Sequence, residues 1–196
     1  MVVSIISGTL FAAACAAPNA HAAAPLEFEG GLKIGFASSP NMSLPANPLG
    51  FGFGGRAGAS LGNVYGGIQA VGYLGGSGTG GHATAGESFF TASYRVAVYG
   101  VELGYTVPAA MFKLRPVLGL GGATVTTAIE GGGPTSHQTH VYLEPGVTGI
   151  VPIRWFYAGV DIGYLRIGGV DGGPVSPATR ATWNAVTMHG QVGFFF

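Results

Sequence analysis

The feature that most restricts what this chain can fold into is the period-two alternation of its final stretch, Arg180 to Phe196. Counting back from the end, the even positions read Phe194, Val192, Gly190, Met188 and Val186, and the odd ones Phe195, Gly193, Gln191, His189 and Thr187. Successive side chains of a strand point to opposite faces, so this spacing predicts a strand with one apolar face and one small or polar face. Phe196 falls on the apolar face. A strand finishing on Phe-Phe-Phe suits a soluble domain poorly, because a terminus normally meets water. It suits a wall with lipid outside and a polar lumen inside.

Composition narrows the class further. Charged residues are 8% of the 196-residue chain and its net charge is zero, whereas a water-exposed surface normally draws on about 25% charged residues. No basic stripe exists to neutralise phosphates, which argues against nucleic acid as a partner. The 37 glycines keep no three-residue period, so a collagen-like fibre is excluded. Beyond the N-terminus no apolar run approaches the roughly 20 residues a membrane-crossing helix requires. A closed barrel, whose strands need only about 9 to 11 residues each, remains as a way to satisfy backbone groups in lipid.

Met1 to Ala22 reads as a signal peptide, with an apolar run from Val2 to Ala17 and a small-x-small site at Ala20-His21-Ala22. The mature domain is expected to comprise residues 23–196. No Lys or Arg precedes the apolar run, so the leader either has a defective positive region or begins upstream. The only cysteine, Cys15, lies inside this segment, and the preceding Ala12-Ala13-Ala14 lacks the leucine of a lipobox. Cleavage after Ala22 leaves no thiol for a disulfide or for catalysis.

The alternation predicts further strands. The first sets Leu26, Phe28, Leu32, Ile34 and Phe36 outward and Glu27, Glu29, Gly31 and Lys33 inward. The second sets Phe51, Phe53, Ala57, Ala59 and Leu61 outward and Arg56 inward, before a tight turn at Gly62-Asn63. A third covers about Val64 to Leu74, with Val71 and Tyr73 on an inner face that is less clean. The fourth carries a phase conflict: Phe90, Tyr94 and Val96 suggest one face, whereas Tyr99, Val101, Leu103 and Tyr105 suggest the other. The second phase, with Glu102 inside, is preferred, and a bulge or an extension above the membrane near Arg95 would reconcile the two. A connection at Val107 to Phe112 leads to a fifth strand with Arg115 inside and Pro116 as its weak point. A sixth has Glu144 inside and turns at Pro152-Ile153-Arg154. A seventh has Asp161 inside, and the C-terminal stretch is the eighth.

The connections alternate in length. Ala37 to Gly50, Gly75 to Glu87, Ala128 to His140 and Ile167 to Thr179 read as long loops, and those between them are short. That pattern orients an all-β, eight-stranded antiparallel up-and-down transmembrane β-barrel, with long loops outside the cell and short turns in the periplasm. From about Leu26 to Phe196 the chain resembles the small eight-stranded outer-membrane proteins of the OmpA/OmpX type. The resemblance implies residence in the bacterial outer membrane, a monomer among outer-membrane lipids, and recognition of the terminal aromatic, Phe196, by the family's assembly machinery. No peptidoglycan-binding domain is expected after Phe196.

Inside such a narrow barrel the inward side chains decide function. Glu29, Lys33, Arg56, Glu102, Arg115, Glu144 and Asp161 all fall on the inner face and carry both signs, which predicts a paired charge network that plugs the lumen. Glu102 and Arg115 are expected to face each other, across a hairpin centred near residues 108 and 109. Against a plug stand many inward glycines, which either let the strands coil or leave water-filled space. Catalysis by a lipid-modifying enzyme would need a Ser, a His and an acid near the outer rim. His189 instead points into the lumen without a neighbouring serine, and no catalytic residue is assigned. His82, His137 and His140 lie in loops. His137-Gln138-Thr139-His140 lacks a carboxylate or cysteine to complete a metal site. Gly50 to Gly55 matches a dinucleotide-binding string but enters a strand, so neither metal nor cofactor is expected. The reading that follows is a non-enzymatic barrel whose outer loops meet an extracellular ligand, for adhesion or envelope integrity. A narrow porin-like channel and a lipid-modifying enzyme are the alternatives.

Overall fold

A computed structural model describes residues 26–39, 47–80, 90–130, 133, 135–172 and 176–196. The expected signal peptide, Cys15 and His82 lie outside the described residues.

Alternation controls the fold from the first strand onward. In β1 (Leu26–Ser38) the side chains of Leu32 and Ile34 are 70% and 58% exposed while Glu29 and Lys33 are buried. That inversion is stable only if the outer medium is lipid. The remaining elements are β2 (Gly50–Leu61), β3 (Val64–Gly80), β4 (Phe90–Tyr105), β5 (Val107–Ala109), β6 (Phe112–Ile129), β7 (Thr135–Ile153), β8 (Phe156–Gly172) and β9 (Ser176–Phe195). Consecutive strands pair antiparallel except β4 and β5, which do not pair with each other; β1 pairs with β9, and β4 pairs with β6. Since β4 and the short β5 both lie along β6, they form one barrel strand, and the sheet closes with eight.

The short turns fall at Gly62-Asn63, Ala110-Met111 and Arg154-Trp155. Ala110 and Arg154 take positive φ values of 33° and 57°, a region where residues with a Cβ are strained. The interruption between β4 and β5 explains how Pro116 is accommodated in β6. By the register, Pro116 lies opposite this break, where a missing N–H does least harm. There the Thr106 N–H leaves the ladder and donates to the Asn63 carbonyl at 2.7 Å.

Three expectations are corrected. The fourth strand does not change phase: Tyr94, Val96 and Val98 are buried, and Gly100 and Glu102 continue the same inward face. The conflict arose from treating the whole inner face as polar, whereas the outer end of this lumen is apolar. The irregularity lies in β3, whose pairing with β4 shifts between Leu74 and Ser77. Second, the hairpin after β5 centres on Ala110 and Met111, pairing Val107 with Leu114 and Glu102 with Gly119. Arg115 is therefore opposite Thr106, and Glu102 is displaced from it by four residues. Third, the outer connections are shorter than expected. The β6–β7 ladder continues to Ala128 opposite Thr135, β8 and β9 run to Gly172 and from Ser176, and β3 reaches Gly80. Loss of hydropathy marks where lipid ends, whereas β-branched stretches such as Thr124 to Thr127 keep the ladder going above it.

A closed ladder of this kind resists detergent. The folded protein should run at a different apparent mass in unboiled and boiled detergent samples. Identical mobility together with recovery in the soluble fraction would contradict the barrel.

Candidate functional site

The inner face has two levels. Toward the periplasmic end, Glu29 of β1 accepts two hydrogen bonds from Arg115 of β6, from Nη1 at 2.6 Å and Nη2 at 2.8 Å. The strand order places β1 and β6 on opposite sides of the barrel, so this forked pair crosses the lumen. Arg115 Nε also donates to Thr106 Oγ1 at 3.0 Å, and Arg56 Nη2 donates to Glu29 at 3.0 Å. Both guanidinium groups lie over the Tyr65 ring, at 4.0 Å for Arg115 and 4.7 Å for Arg56. The Tyr65 hydroxyl donates to Glu102, whose other links are ion pairs of 3.6 Å to Arg56 and 3.8 Å to Lys33. Lys33 pairs with Asp161 at 2.8 Å and donates to Gln69 at 2.9 Å. Glu144 accepts from Gln69 at 3.2 Å and from Thr187 at 2.7 Å. The structure thus brings Glu29, Lys33, Arg56, Glu102, Asp161 and Arg115 into one ion-paired chain, and Glu144 joins it through Gln69.

Sequence reasoning gave no signal for the Glu27–Lys113 pair, 3.2 Å long, which spans the periplasmic mouth. It also missed the aromatic member, Tyr65, because that residue type is not rare on an inner face. The cavity bordered by Lys33, Gln69, Glu102, Glu144 and Asp161 is about 20 Å3 in volume, room for about one water.

Toward the outer end the filling is apolar. Leu49, Val71, Tyr94, Val125, Leu165 and Trp183 belong to one buried cluster, and Tyr94 and Trp183 meet edge to face from opposite walls. The inward glycines make room for large neighbours. A Cβ on Gly52 would lie 2.6 Å from the Tyr73 ring, and one on Gly31 would lie 2.5 Å from the Tyr157 hydroxyl. Bare positions and bulky ones therefore alternate around the wall, in the manner of a packed core.

His189 is buried, with its Nε2 3.1 Å from the Tyr73 hydroxyl. His137 and His140 lie on β7 rather than in a loop. Three residues apart on a strand, they face opposite sides, with Thr126 and Gln138 as respective partners. Among the described residues no group of three or more His, Cys, Asp or Glu is arranged to hold a metal. Gly50 to Gly55 lies at the start of β2, with Gly50 at a φ of 66°. Phe196 extends β9 against β1: its N–H donates to the Phe28 carbonyl at 3.0 Å, and its own carbonyl accepts from Phe28 at 2.9 Å.

An eight-stranded barrel with an apolar exterior and a charged, packed interior defines the class of small outer-membrane barrels. The sequence profile of the outer membrane protein beta-barrel domain matches residues 7–193. The chain belongs to that family, and its location is the bacterial outer membrane. None of the curated proteins matches significantly. Among solved structures, the neisserial surface protein A (NspA) is similar at a TM-score of 0.59 with 14% identity, covering 87% of this chain and 97% of that one. A major outer membrane protein from Thermus thermophilus is similar at a TM-score of 0.56 with 13% identity, covering 87% and 99%. At these identities the likeness is one of fold.

Removing one partner of the forked pair strands a buried charge, which costs about 3 to 5 kcal/mol. Glu29→Gln and Arg115→Gln should each lower stability by about that much in urea unfolding of the detergent-folded protein, with strong coupling in the double-mutant cycle. The corresponding cycle for Glu102 and Arg115, which are linked only through Tyr65 and Arg56, should show weaker coupling than the forked pair. The reverse ranking would contradict the register.

Proposed function

We propose that this protein is a non-enzymatic barrel with a closed lumen, which serves as a rigid monomeric support for extracellular strand ends and loops that contact other molecules or surfaces. Residues 1–22 are the export segment on this reading. The observation that carries it is the filling of the lumen at both levels: a cross-barrel ion-pair chain below and interlocked aromatic and aliphatic side chains above. Adhesion and envelope integrity are the roles such a support suits, because binding groups placed on loops are held in position by the scaffold beneath. Loops of a barrel can vary while its wall stays constant. The buried histidine, held by a tyrosine and without a serine partner among the described residues, supports the non-enzymatic reading over a lipid-modifying one.

In planar bilayers the purified barrel should show no discrete conductance steps. Stable steps would overturn the closed lumen in favour of a narrow channel.

We also assign Phe196 to assembly. Its backbone extends the β1–β9 seam that closes the barrel, while its ring stands 75% exposed to lipid. Phe196→Asp should reduce the heat-modifiable fraction in the outer membrane several-fold, whereas Met111→Asp, at an exposed turn, should leave it near the unaltered level. Equal fractions for the two variants would sink the assignment.

A further inference from the structure

The lumen cations are matched with carboxylates, but two arginines on the outer wall are not. Arg95 of β4 and Arg166 of β8 face outward and are exposed, and neither has an ion-pair or hydrogen-bond partner among the described residues. Among residues whose side chains are described, they are the outward-facing cations of the strands. Arg95 lies ten residues above Tyr105, where its barrel strand is interrupted, and Arg166 lies ten above Phe156, the first residue of β8. Ten residues at about 3.3 Å each, tilted by about 40°, rise about 25 Å, the height of the apolar band of an outer-membrane barrel. The outward positions below confirm the band: Ala97, Tyr99, Val101, Leu103 and Tyr105 beneath Arg95, and Tyr164, Ile162, Val160, Ala158 and Phe156 beneath Arg166.

Each arginine has outward polar neighbours at its own level. Arg95 is paired in register with Thr126, and Thr126 with His137, whose Nδ1 is 3.0 Å from the Thr126 hydroxyl. Arg166 is paired with Asn184. Guanidinium, amide, hydroxyl and imidazole are the donors that hold a phosphate, and the guanidinium can do so with two parallel bonds. A cation placed only to reach water would need no such company. Just above the hydrocarbon of the outer leaflet, the ligand that meets these groups is a lipid headgroup.

The geometry points to two binding sites for the phosphate groups of outer-leaflet lipids, one at Arg95 with Thr126 and His137 and one at Arg166 with Asn184. The sites lie on separate strands and act independently. Their occupant is a membrane lipid held simultaneously by its acyl chains against the apolar wall, which distinguishes it from free phosphate.

The test uses the full-length folded protein in detergent micelles, titrated with a glycolipid that carries phosphate monoesters on its sugar headgroup and, separately, with the same lipid after phosphatase treatment. Bound lipid is counted by native mass spectrometry. The unaltered protein should prefer the phosphorylated lipid. Arg95→Gln and Arg166→Gln should each weaken its retention by about fivefold, as expected for one basic residue at an anionic membrane surface, while leaving the dephosphorylated lipid unaffected. Arg154→Gln, at the periplasmic turn, should change neither. Equal retention of the two lipids by the unaltered protein overturns the proposal, and that comparison needs no variant. So does a loss in Arg154→Gln as large as in the other two, which would indicate general charge attraction. Displacement of the lipid by millimolar inorganic phosphate at the same concentration in all proteins would overturn the lipid as occupant.

Discussion

Backbone amides in hydrocarbon have no water to bond, and that constraint governs the rest of this structure. Every strand must have two neighbours, so the ladder has to close where β1 meets β9 and where β4 meets β6. The tolerated irregularities follow from the same rule. Pro116 lies opposite the break between β4 and β5, and Thr106 at that break finds the Asn63 carbonyl. The last residue, Phe196, still exchanges two backbone hydrogen bonds with Phe28, so the seam stays paired to the end of the chain. In lipid an unpaired seam would cost several kcal/mol per exposed group.

Closure with eight strands leaves an interior just wide enough for side chains to fill. The filling then becomes a packing problem in which each large residue requires a small one beside it. Tyr73 lies where Gly52 offers no Cβ, and Tyr157 where Gly31 and Gly193 offer none. Charges are handled in the same way. A buried carboxylate needs its lone pairs met, and Glu29 meets them with two guanidinium groups, Arg56 from the neighbouring strand β2 and Arg115 from β6 across the lumen.

Much of this was legible in the sequence because lipid outside and lumen inside write opposite chemistries on alternate residues. The outward set Leu32, Ile34, Phe51, Phe53, Leu118 and Leu120 and the inward set Glu29, Lys33, Arg56 and Arg115 follow directly from counting by twos. What escaped was whatever the period of two leaves free. Glu102 and Arg115 both point inward in the expected and the observed hairpin, since a shift of four residues preserves the face; only the turn at Ala110-Met111 decides which residues meet. Tyr94, Val96 and Val98 broke the rule that the inside is polar, because the outer end of the lumen is a small apolar core. The polar ends of β6 and β7 looked like loop because hydropathy reports the solvent and not the backbone.

The low charge content follows from where the charges are placed. Of the 16 charged residues in the chain, nine lie within the barrel: the seven of the inner network and the Glu27–Lys113 pair at its mouth. A soluble protein of this length spends its charges on the surface, and this one has no aqueous surface over most of its wall. Their value inside is one of registry more than of net stability, since a well-packed apolar filling of equal volume can be as stable as a buried ion pair. An apolar core tolerates sliding, whereas a one-residue slip of β1 would turn Glu29 and Lys33 into hydrocarbon and leave Arg115 and Asp161 without those partners. A barrel whose outer face is uniformly greasy gains little register information from that face. The lumen charges supply it, because each pair that crosses from one wall to the other fixes two strands that share no backbone hydrogen bond.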